Sequence, residues 1–104
     1  MRRGEIWWAE LEPPAGRRPV VLLSRDEAYS VRSLVIVAPV TTRKRHIPSE
    51  VSLGPSEGMP QECVANLDTI TTIPKDCLRN RLITLSPKKL EEIELAIHFA
   101  LGME

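Results

Sequence analysis

Two short polar clusters stand at the ends of apolar segments, and both contain residue types that bind phosphate. Arg17 and Arg18 precede the apolar run PVVLL, and Thr41 and Thr42 follow the apolar run LVIVAPV. A guanidinium group can bind phosphate through two parallel hydrogen bonds, and a threonine hydroxyl can donate another. A cationic stretch, residues 43–45, follows the threonines directly. The clusters predict a phosphate-binding rim; the alternative is a pair of ordinary strand ends beside a solvated charge run.

The two clusters can act together only if the segments that carry them are neighbouring strands. In an antiparallel pair, the start of one strand lies beside the end of the other. Arg18 would then lie close to Thr41, and the residues after Thr41 would surround the same point. The position of these side chains therefore depends on the sheet that the rest of the chain forms.

The remaining segments predict several short strands followed by one helix. Strands are expected at 5–11, 19–24, 33–40, 49–53, 62–72 and 81–86, with 33–40 central and buried on both faces. One helical turn is expected within 25–32, with Ser24 as its N-cap, and a short helix is expected over 75–80. This order predicts an α+β fold, a small antiparallel barrel with a C-terminal helix, in a single domain over residues 1–104.

The C-terminal helix has the clearest signals. Ser86 can cap its start, Pro87 fits its first position, and Gly102 ends it. Apolar residues recur at three- and four-residue spacing, which predicts one buried face; they are Leu90, Ile93, Ile97, Ala100 and Leu101. Acidic residues near its N-terminal end suit the helix dipole.

Charge is distributed unevenly, although the formal net charge is zero. Residues 1–46 carry nine Lys or Arg against five acids, and residues 47–104 carry five against nine. A fold that collects the first half on one face would attract anions there, which is compatible with nucleic acid. A disordered, acidic protein tail would be a natural competitor for such a surface.

Several conventional classes of site are not favoured. His46 and His98 lie far apart on different elements, so no metal site is expected, and Cys63 and Cys77 read as reduced thiols. No nucleophile–histidine motif and no phosphate-binding glycine loop of the G-x-x-x-x-G-K-[ST] type is present. No apolar run approaches about 18 residues, and the N-terminus lacks the apolar core of a signal peptide. No membrane span is therefore expected, and a cytoplasmic location is predicted.

The segments RRGEIWWAELEPPAGRRPVVLLS and VIVAPVTT, with a helix ending in LGM, resemble the MazF/PemK family of toxin endoribonucleases. The resemblance covers nearly the whole chain, in order and with compatible spacing. It implies an SH3-like β-barrel and a homodimer that needs no cofactor or metal. It also implies a toxin of a type II toxin–antitoxin system, inhibited by a cognate antitoxin.

The implied activity is sequence-specific cleavage of single-stranded RNA, which blocks translation and growth. Carried over residue by residue, the catalytic arginine falls on Arg18 and the catalytic threonine on Thr41. Arg17 and Thr42 would flank the site, and the stretch Arg43, Lys44 and Arg45 would hold the RNA backbone. The implied products are a 2′,3′-cyclic phosphate and a 5′-hydroxyl.

The chain departs from the family pattern in two places. Its loop EPPAGRRP is shorter than usual, so contacts of that loop cannot be transferred. Thr71 and Pro74 stand where the PemK-like branch has an arginine and an aspartate, which leaves the general base unassigned. Two other functions remain open at this stage: a gyrase poison of the CcdB type, and an SH3-like RNA-binding module without catalysis.

Overall fold

The computed structural model describes residues 1–103, which form seven strands, two helices and three short 3-10 turns. The strands are β1 (Glu5–Glu10), β2 (Arg17–Leu22), β3 (Leu34–Thr41), β4 (Glu50–Leu53), β5 (Cys63–Asn66), β6 (Thr71–Pro74) and β7 (Leu78–Thr84). The helices are α1 (Ala28–Val31) and α2 (Pro87–Leu101), and the turns are Pro55–Glu57, Leu67–Thr69 and Lys75–Cys77.

All strand pairs are antiparallel, in the order β4-β5-β3-β2-β1-β7, with β6 also paired to β3. One edge of β3 changes partner along its length: residues 34–37 pair with β6, and Val40 and Thr41 pair with β5. This change curls the sheet into a half-barrel, against which α2 packs. The predicted α+β fold with an antiparallel barrel and a C-terminal helix is confirmed.

The hydrophobic core lies on both faces of the curled sheet, because successive side chains of a strand point to opposite faces. Val21 packs in the cluster that includes Ile93 and Ala96 of α2. Val20 and Leu22 pack in a second cluster around Val35, Val37 and Tyr29. Both faces of β2 are therefore buried, and its pairing with β1 places Arg18 opposite Ala9 at the start of the strand.

The prediction that the central strand is buried on both faces is wrong for its first half. Leu34 is 48% exposed and Ile36 is 44% exposed, while Val35 between them is fully buried. These side chains alternate between a covered face and an open one. Only the second half of β3, from Val37, is largely enclosed.

Two predicted helical features and one predicted strand are also different in the structure. Ser24 does not cap α1; its Oγ accepts a hydrogen bond from the Ile36 backbone N–H at 2.8 Å, and α1 begins only at Ala28. The segment 62–72 is two strands, because the 3-10 turn Leu67–Thr69 interrupts it. The helix over 75–80 is only a 3-10 turn, since Leu78 already pairs with Ala9 in the sheet.

Helix α2 has the predicted ends. Ser86 Oγ accepts a hydrogen bond from the Lys89 N–H at 3.1 Å, and Gly102 has the left-handed φ of +68° that commonly ends a helix. Ile93 is buried as expected, but Leu101 is 61% exposed, which contradicts its assignment to the core face. Ala96 is buried in its place, one turn before Ala100. No helix within residues 1–103 is both long and apolar enough to cross a membrane.

Candidate active site

The sheet register brings the two polar clusters to one rim. Strands β2 and β3 pair antiparallel, with Val20 opposite Pro39 and Val21 opposite Ala38. At the open end of this pair, Arg18 and Thr41 line the same cavity. The predicted antiparallel placement of the two strands is therefore confirmed.

This catalytic-site candidate is an open cavity of about 330 Å³, which we call the rim cavity. Its lining consists of three arginines, two threonines, an asparagine and a proline: Arg18, Arg43, Arg45, Thr41, Thr69, Asn66 and Pro39. Within residues 1–103, no carboxylate lies within 4 Å of these three guanidinium groups, whereas Arg17 and Lys44 each have an acidic partner. The rim cavity is thus rich in unneutralised cations and hydrogen-bond donors, as an anion site requires.

Two hydrogen bonds orient the groups that the sequence singled out. Arg18 Nε donates to the Ala15 carbonyl at 3.0 Å, which ties one edge of the guanidinium to the turn before β2. Thr41 Oγ1 accepts from the Arg43 backbone N–H at 3.2 Å. Because that bond uses the hydroxyl oxygen as an acceptor, the hydroxyl hydrogen is available to a phosphate oxygen.

The other predicted contact residues lie outside the rim cavity. Arg17 stacks over the Trp8 ring at 4.8 Å and lies 3.6 Å from a Glu10 carboxylate oxygen. Lys44 lies 3.6 Å from Glu62. Thr42 lines a smaller cavity of about 100 Å³ that also borders Thr41. Arg17 and Arg18 are consecutive residues of β2, so their side chains point to opposite faces of the sheet. Thr42 follows the end of β3, and Thr41 borders both cavities.

A larger open cavity, of about 450 Å³, lies at the start of α2, but its chemistry is less suited to a reacting phosphate. Its Lys89 Nζ already donates to the Ser52 carbonyl at 2.8 Å and to Glu92 at 3.2 Å. No predicted site residue lines it. In the described part of the chain, no group of three or more His, Cys, Asp or Glu side chains is placed to hold a metal ion.

The family model described as "PemK-like, MazF-like toxin of type II toxin-antitoxin system" matches residues 2–101. The chain belongs to this family. The resemblance seen in the sequence is therefore confirmed.

Individual relatives agree with this assignment. A "Probable endoribonuclease MazF2" of Mycobacterium tuberculosis is 41% identical over 93 residues, which cover 88% of this chain and 89% of the relative. The structure of the Mycobacterium tuberculosis toxin MazF-mt6 has a TM-score of 0.88 at 29% identity, covering 96% of this chain and 98% of that one. A mycobacterial endoribonuclease in complex with its cognate antitoxin has a TM-score of 0.87 at 29% identity, covering 100% and 97%.

Two residues of the rim cavity in this MazF-like chain were missed by the sequence reasoning, Asn66 and Thr69. They occupy the same kind of position as Thr41, since Asn66 ends an apolar strand and Thr69 lies in the turn after it. An asparagine at a strand end is also typical of a turn in which the side chain accepts a hydrogen bond from the backbone two residues later, as Asn66 does from the Asp68 N–H. A search for every polar strand end would have found them.

The carboxylate of Glu50 holds the backbone of residues 43–46, which follow Thr41 and which we call the cationic loop. Glu50 Oε1 accepts hydrogen bonds from the backbone N–H of Arg45 at 2.9 Å and of His46 at 3.2 Å. His46 has a φ of +57°, so the chain turns sharply at the point where the carboxylate holds it. Among the described residues, Glu50 Oε2 is buried and has no hydrogen-bond partner. The side chain therefore acts as a clamp on the backbone rather than as a counter-ion for a guanidinium group.

The smaller cavity beside Thr41 contains a thiol. Cys63 and Cys77 are both unpaired in the structure, as predicted, with Cys63 buried and Cys77 half-buried. Burial raises the pKa of the Cys63 thiol, the Glu62 carboxylate raises it further, and the opposing effect of Lys44 is smaller. A thiol with a raised pKa is a weak nucleophile. Cys63 is thus a packing residue at the edge of the smaller cavity.

Proposed function

We propose that this protein is the toxin of a type II toxin–antitoxin system and that it cleaves single-stranded RNA in the rim cavity. The observation that carries the proposal is the convergence of Arg18 and Thr41, from different strands, on a cavity rich in unneutralised cations. Family membership and relatives named as endoribonucleases support the same activity. The proposed unit is a single domain over residues 1–104 that acts in the cytoplasm, where its cleavage of RNA blocks translation and growth.

The proposed reaction uses the 2′-hydroxyl of the substrate as the nucleophile. The 2′-oxygen forms a bond to phosphorus, the bond from phosphorus to the 5′-oxygen breaks, and the products are a 2′,3′-cyclic phosphate and a 5′-hydroxyl. One proton leaves the 2′-hydroxyl, and one is gained by the leaving 5′-oxygen. Negative charge accumulates on the non-bridging oxygens in the transition state, and this is where donors have their largest effect.

Arg18 and Thr41 have distinct roles in this proposal. Because a guanidinium stays protonated in proteins, Arg18 stabilises the developing charge and does not act as a base. The free hydroxyl hydrogen of Thr41 donates to the same phosphate. Arg43 and Arg45 hold the RNA backbone within the rim cavity, while Arg17, Thr42 and Lys44 contact it beyond the cavity.

We also propose two protein partners. One is a second copy of the chain, which forms a homodimer, and the other is a cognate antitoxin with an acidic, partly disordered tail. A relative solved with its cognate antitoxin supports the second partner. Exposed apolar side chains on α2, including Leu95, Phe99 and Leu101, provide surface that protein partners could cover. Sedimentation equilibrium at micromolar concentration tests the dimer, and a monomer alone would contradict it.

The activity is tested with purified protein and a long RNA in excess EDTA. Native protein should cleave, and the fragments should carry the stated ends. Arg18→Ala and Thr41→Ala should each lower kcat/KM by about 10²–10³, the usual cost of removing one transition-state donor. Arg17→Ala is the matched control, because it removes an adjacent arginine that does not line the rim cavity; it should weaken binding while leaving kcat nearly native.

Four results would contradict all or part of the proposal. Native protein that leaves RNA intact with and without metal would exclude the nuclease. Gyrase-dependent DNA breaks without RNA cleavage would identify a gyrase poison, and RNA binding without cleavage would identify a binding module. A folded Arg18→Ala variant with native kcat/KM would remove the catalytic assignment alone.

A further inference from the structure

We propose that the side-chain NH₂ group of Asn66 donates a hydrogen bond to a non-bridging oxygen of the RNA phosphate in the rim cavity. The proposal rests on the proposed RNA cleavage and adds a substrate-contacting residue to it. The starting observation is that Asn66, which closes β5, lines the same cavity as Arg18 and Thr41.

The orientation of the Asn66 amide follows from its one hydrogen bond. The backbone N–H of Asp68 lies 3.0 Å from Asn66 Oδ1. A backbone N–H can only donate, so the atom facing it must be the amide oxygen and not the nitrogen. The NH₂ group therefore faces away from Asp68, and neither of its hydrogens bonds to that residue.

The turn that fixes this orientation is itself anchored. Asp68 Oδ2 accepts a hydrogen bond from Ser49 Oγ at 2.6 Å, and the Leu67 N–H donates to the Ser49 carbonyl at 2.8 Å. These bonds join the turn after β5 to the residue before β4. These bonds hold the amide oxygen of Asn66 in place, and the NH₂ group therefore has a fixed direction.

The NH₂ group has no hydrogen-bond acceptor among residues 1–103, and it keeps access to the open rim cavity. Asn66 is only 7% exposed, and within residues 1–103 its amide nitrogen makes no hydrogen bond. Because Glu50 Oε2 is the one fully buried polar side-chain atom without a partner within residues 1–103, the Asn66 NH₂ group is not sealed in the core, and a group entering the rim cavity can reach it. Cys63, Val64 and Ala65 before it are all buried, so packing alone would favour another apolar side chain here. A phosphate oxygen in the rim cavity supplies the acceptor that the protein does not.

Asn66 also differs in rigidity from the cationic groups around the cavity. The side chains of Arg18, Arg43 and Arg45 are exposed, whereas Asn66 is enclosed by the strand and its turn. A fixed donor needs no reorganisation as charge develops on the phosphate, which makes it effective in the transition state. In this proposal the arginines contribute positive charge, and Asn66 contributes a hydrogen-bond donor with a fixed orientation.

The first test uses a substitution that keeps shape and removes the donor. Asn66→Asp retains an oxygen for the Asp68 N–H and remains a good turn cap, but it places a carboxylate against the phosphate. Asn66→Ala removes the donor without adding charge. Asn80→Asp is the matched control, because Asn80 is exposed on β7 and lines neither cavity beside Thr41. All variants are first checked for cooperative unfolding.

We expect Asn66→Ala to lower kcat/KM about tenfold to a hundredfold, in line with the loss of one hydrogen bond to a charged group. Asn66→Asp should lower kcat/KM further, and Asn80→Asp should stay close to native. Because Asn66 is neutral, Asn66→Ala should also leave the salt dependence of RNA binding unchanged, whereas Arg43→Ala should reduce its slope by about 0.7.

A second measurement separates contact with the phosphate from a purely structural role. The cleavage site is first mapped on a long RNA, and oligonucleotides are then made with sulfur in place of either non-bridging oxygen of the scissile phosphate. Sulfur accepts hydrogen bonds poorly, so one of the two diastereomers should be cleaved more slowly by native protein. That slowing should be smaller in Asn66→Ala and unchanged in Asn80→Asp.

The outcomes separate this inference from the function on which it depends. If native protein does not cleave RNA, the proposed function fails before Asn66 is tested. If native protein cleaves RNA and folded Asn66→Ala has native kcat/KM, the inference alone is wrong. A rate loss in Asn66→Ala with unaltered sulfur effects for both diastereomers would also overturn it, because the residue would then support the turn without contacting phosphate.

Discussion

Glu50 should control the rate of RNA cleavage although it does not line the rim cavity. Its carboxylate holds the backbone of Arg45 and His46, and Arg43 and Arg45 project from the same loop into the cavity. Glu50→Ala removes this clamp. We expect the loop to become mobile, kcat to fall, and KM to stay level or fall, because the change also deletes a negative charge close to a cationic site.

The magnitude follows from the clamp geometry. Two hydrogen bonds to a charged acceptor would contribute about 3–6 kcal/mol if both were fully buried. Arg45 and His46 are exposed, so hydrogen bonds to water replace much of this contribution when the carboxylate is removed. Deleting the buried, unpartnered Oε2 also recovers about 1–3 kcal/mol of desolvation cost. The free energy of unfolding should therefore fall by about 1–2 kcal/mol. If about 1 kcal/mol of ordering is lost from the transition state, kcat/KM falls about fivefold.

The assay compares three variants in urea unfolding and in steady-state cleavage of one RNA. Glu50→Gln keeps an oxygen for the two N–H groups and should retain most of the native kcat. Glu62→Ala is the charge-matched control, since Glu62 contacts only the Lys44 side chain of this loop, at 3.6 Å; it should keep the native kcat. A Glu50→Ala variant with native kcat, or an equal loss of kcat in Glu62→Ala, would refute the clamp.

Two further predictions concern stability. Gly58→Ala should lower the free energy of unfolding in urea by about 1–3 kcal/mol, because Gly58 has a φ of +101° and a Cβ there would lie 2.9 Å from Ile83 Cγ2. Gly16→Ala should cost only about 1 kcal/mol, because Gly16 has a φ of +64° but no atom of residues 1–103 within 4 Å of such a Cβ. Equal losses in the two variants would contradict this explanation. Burial alone would raise the pKa of Glu5, but hydrogen bonds from Trp7 and a backbone amide, with nearby positive charge, lower it below 4.5. The stabilisation by the ionised Glu5 is therefore present above pH 4.5 and is lost as pH falls through the lowered pKa. Between about pH 7 and pH 3, Glu5→Gln should lose less unfolding free energy than native protein. Parallel plots of unfolding free energy against pH would exclude this contribution.

The parts of the fold that could be predicted from sequence are those fixed by local signals. Ser86, Pro87 and Gly102 mark the ends of α2 by chemistry that acts within one turn. The apolar runs at 19–24 and 33–40 mark strands whose antiparallel pairing follows from their position in a small sheet. The rim cavity was predictable for the same reason, because Arg18 and Thr41 mark the ends of two neighbouring strands.

The errors occurred where tertiary contacts override local pattern. Ser24 has the residue type of a helix cap, but it bonds to Ile36 across the chain. Leu78 belongs to a segment that could begin a helix, but pairing with Ala9 makes it a strand. Leu101 has helical spacing, yet it is 61% exposed, while Ala100 beside it packs against the core. None of these partners is visible in a local window of sequence.

The separation of acids and cations explains how a chain of zero net charge can bind a polyanion. Glu10 and Glu62 lie close to Arg17 and Lys44, which are outside the rim cavity. Glu50, the acid nearest to the cationic loop in sequence, binds backbone N–H groups. The guanidinium groups of that loop have no carboxylate within 4 Å among residues 1–103. Glu10 and Glu62 therefore offset positive charge outside the rim cavity, and Glu50 orders the cationic loop without pairing with its guanidinium groups. An additional carboxylate within reach of Arg18, Arg43 or Arg45 would compete directly with the phosphate that we propose for the rim cavity, and residues 1–103 place none there.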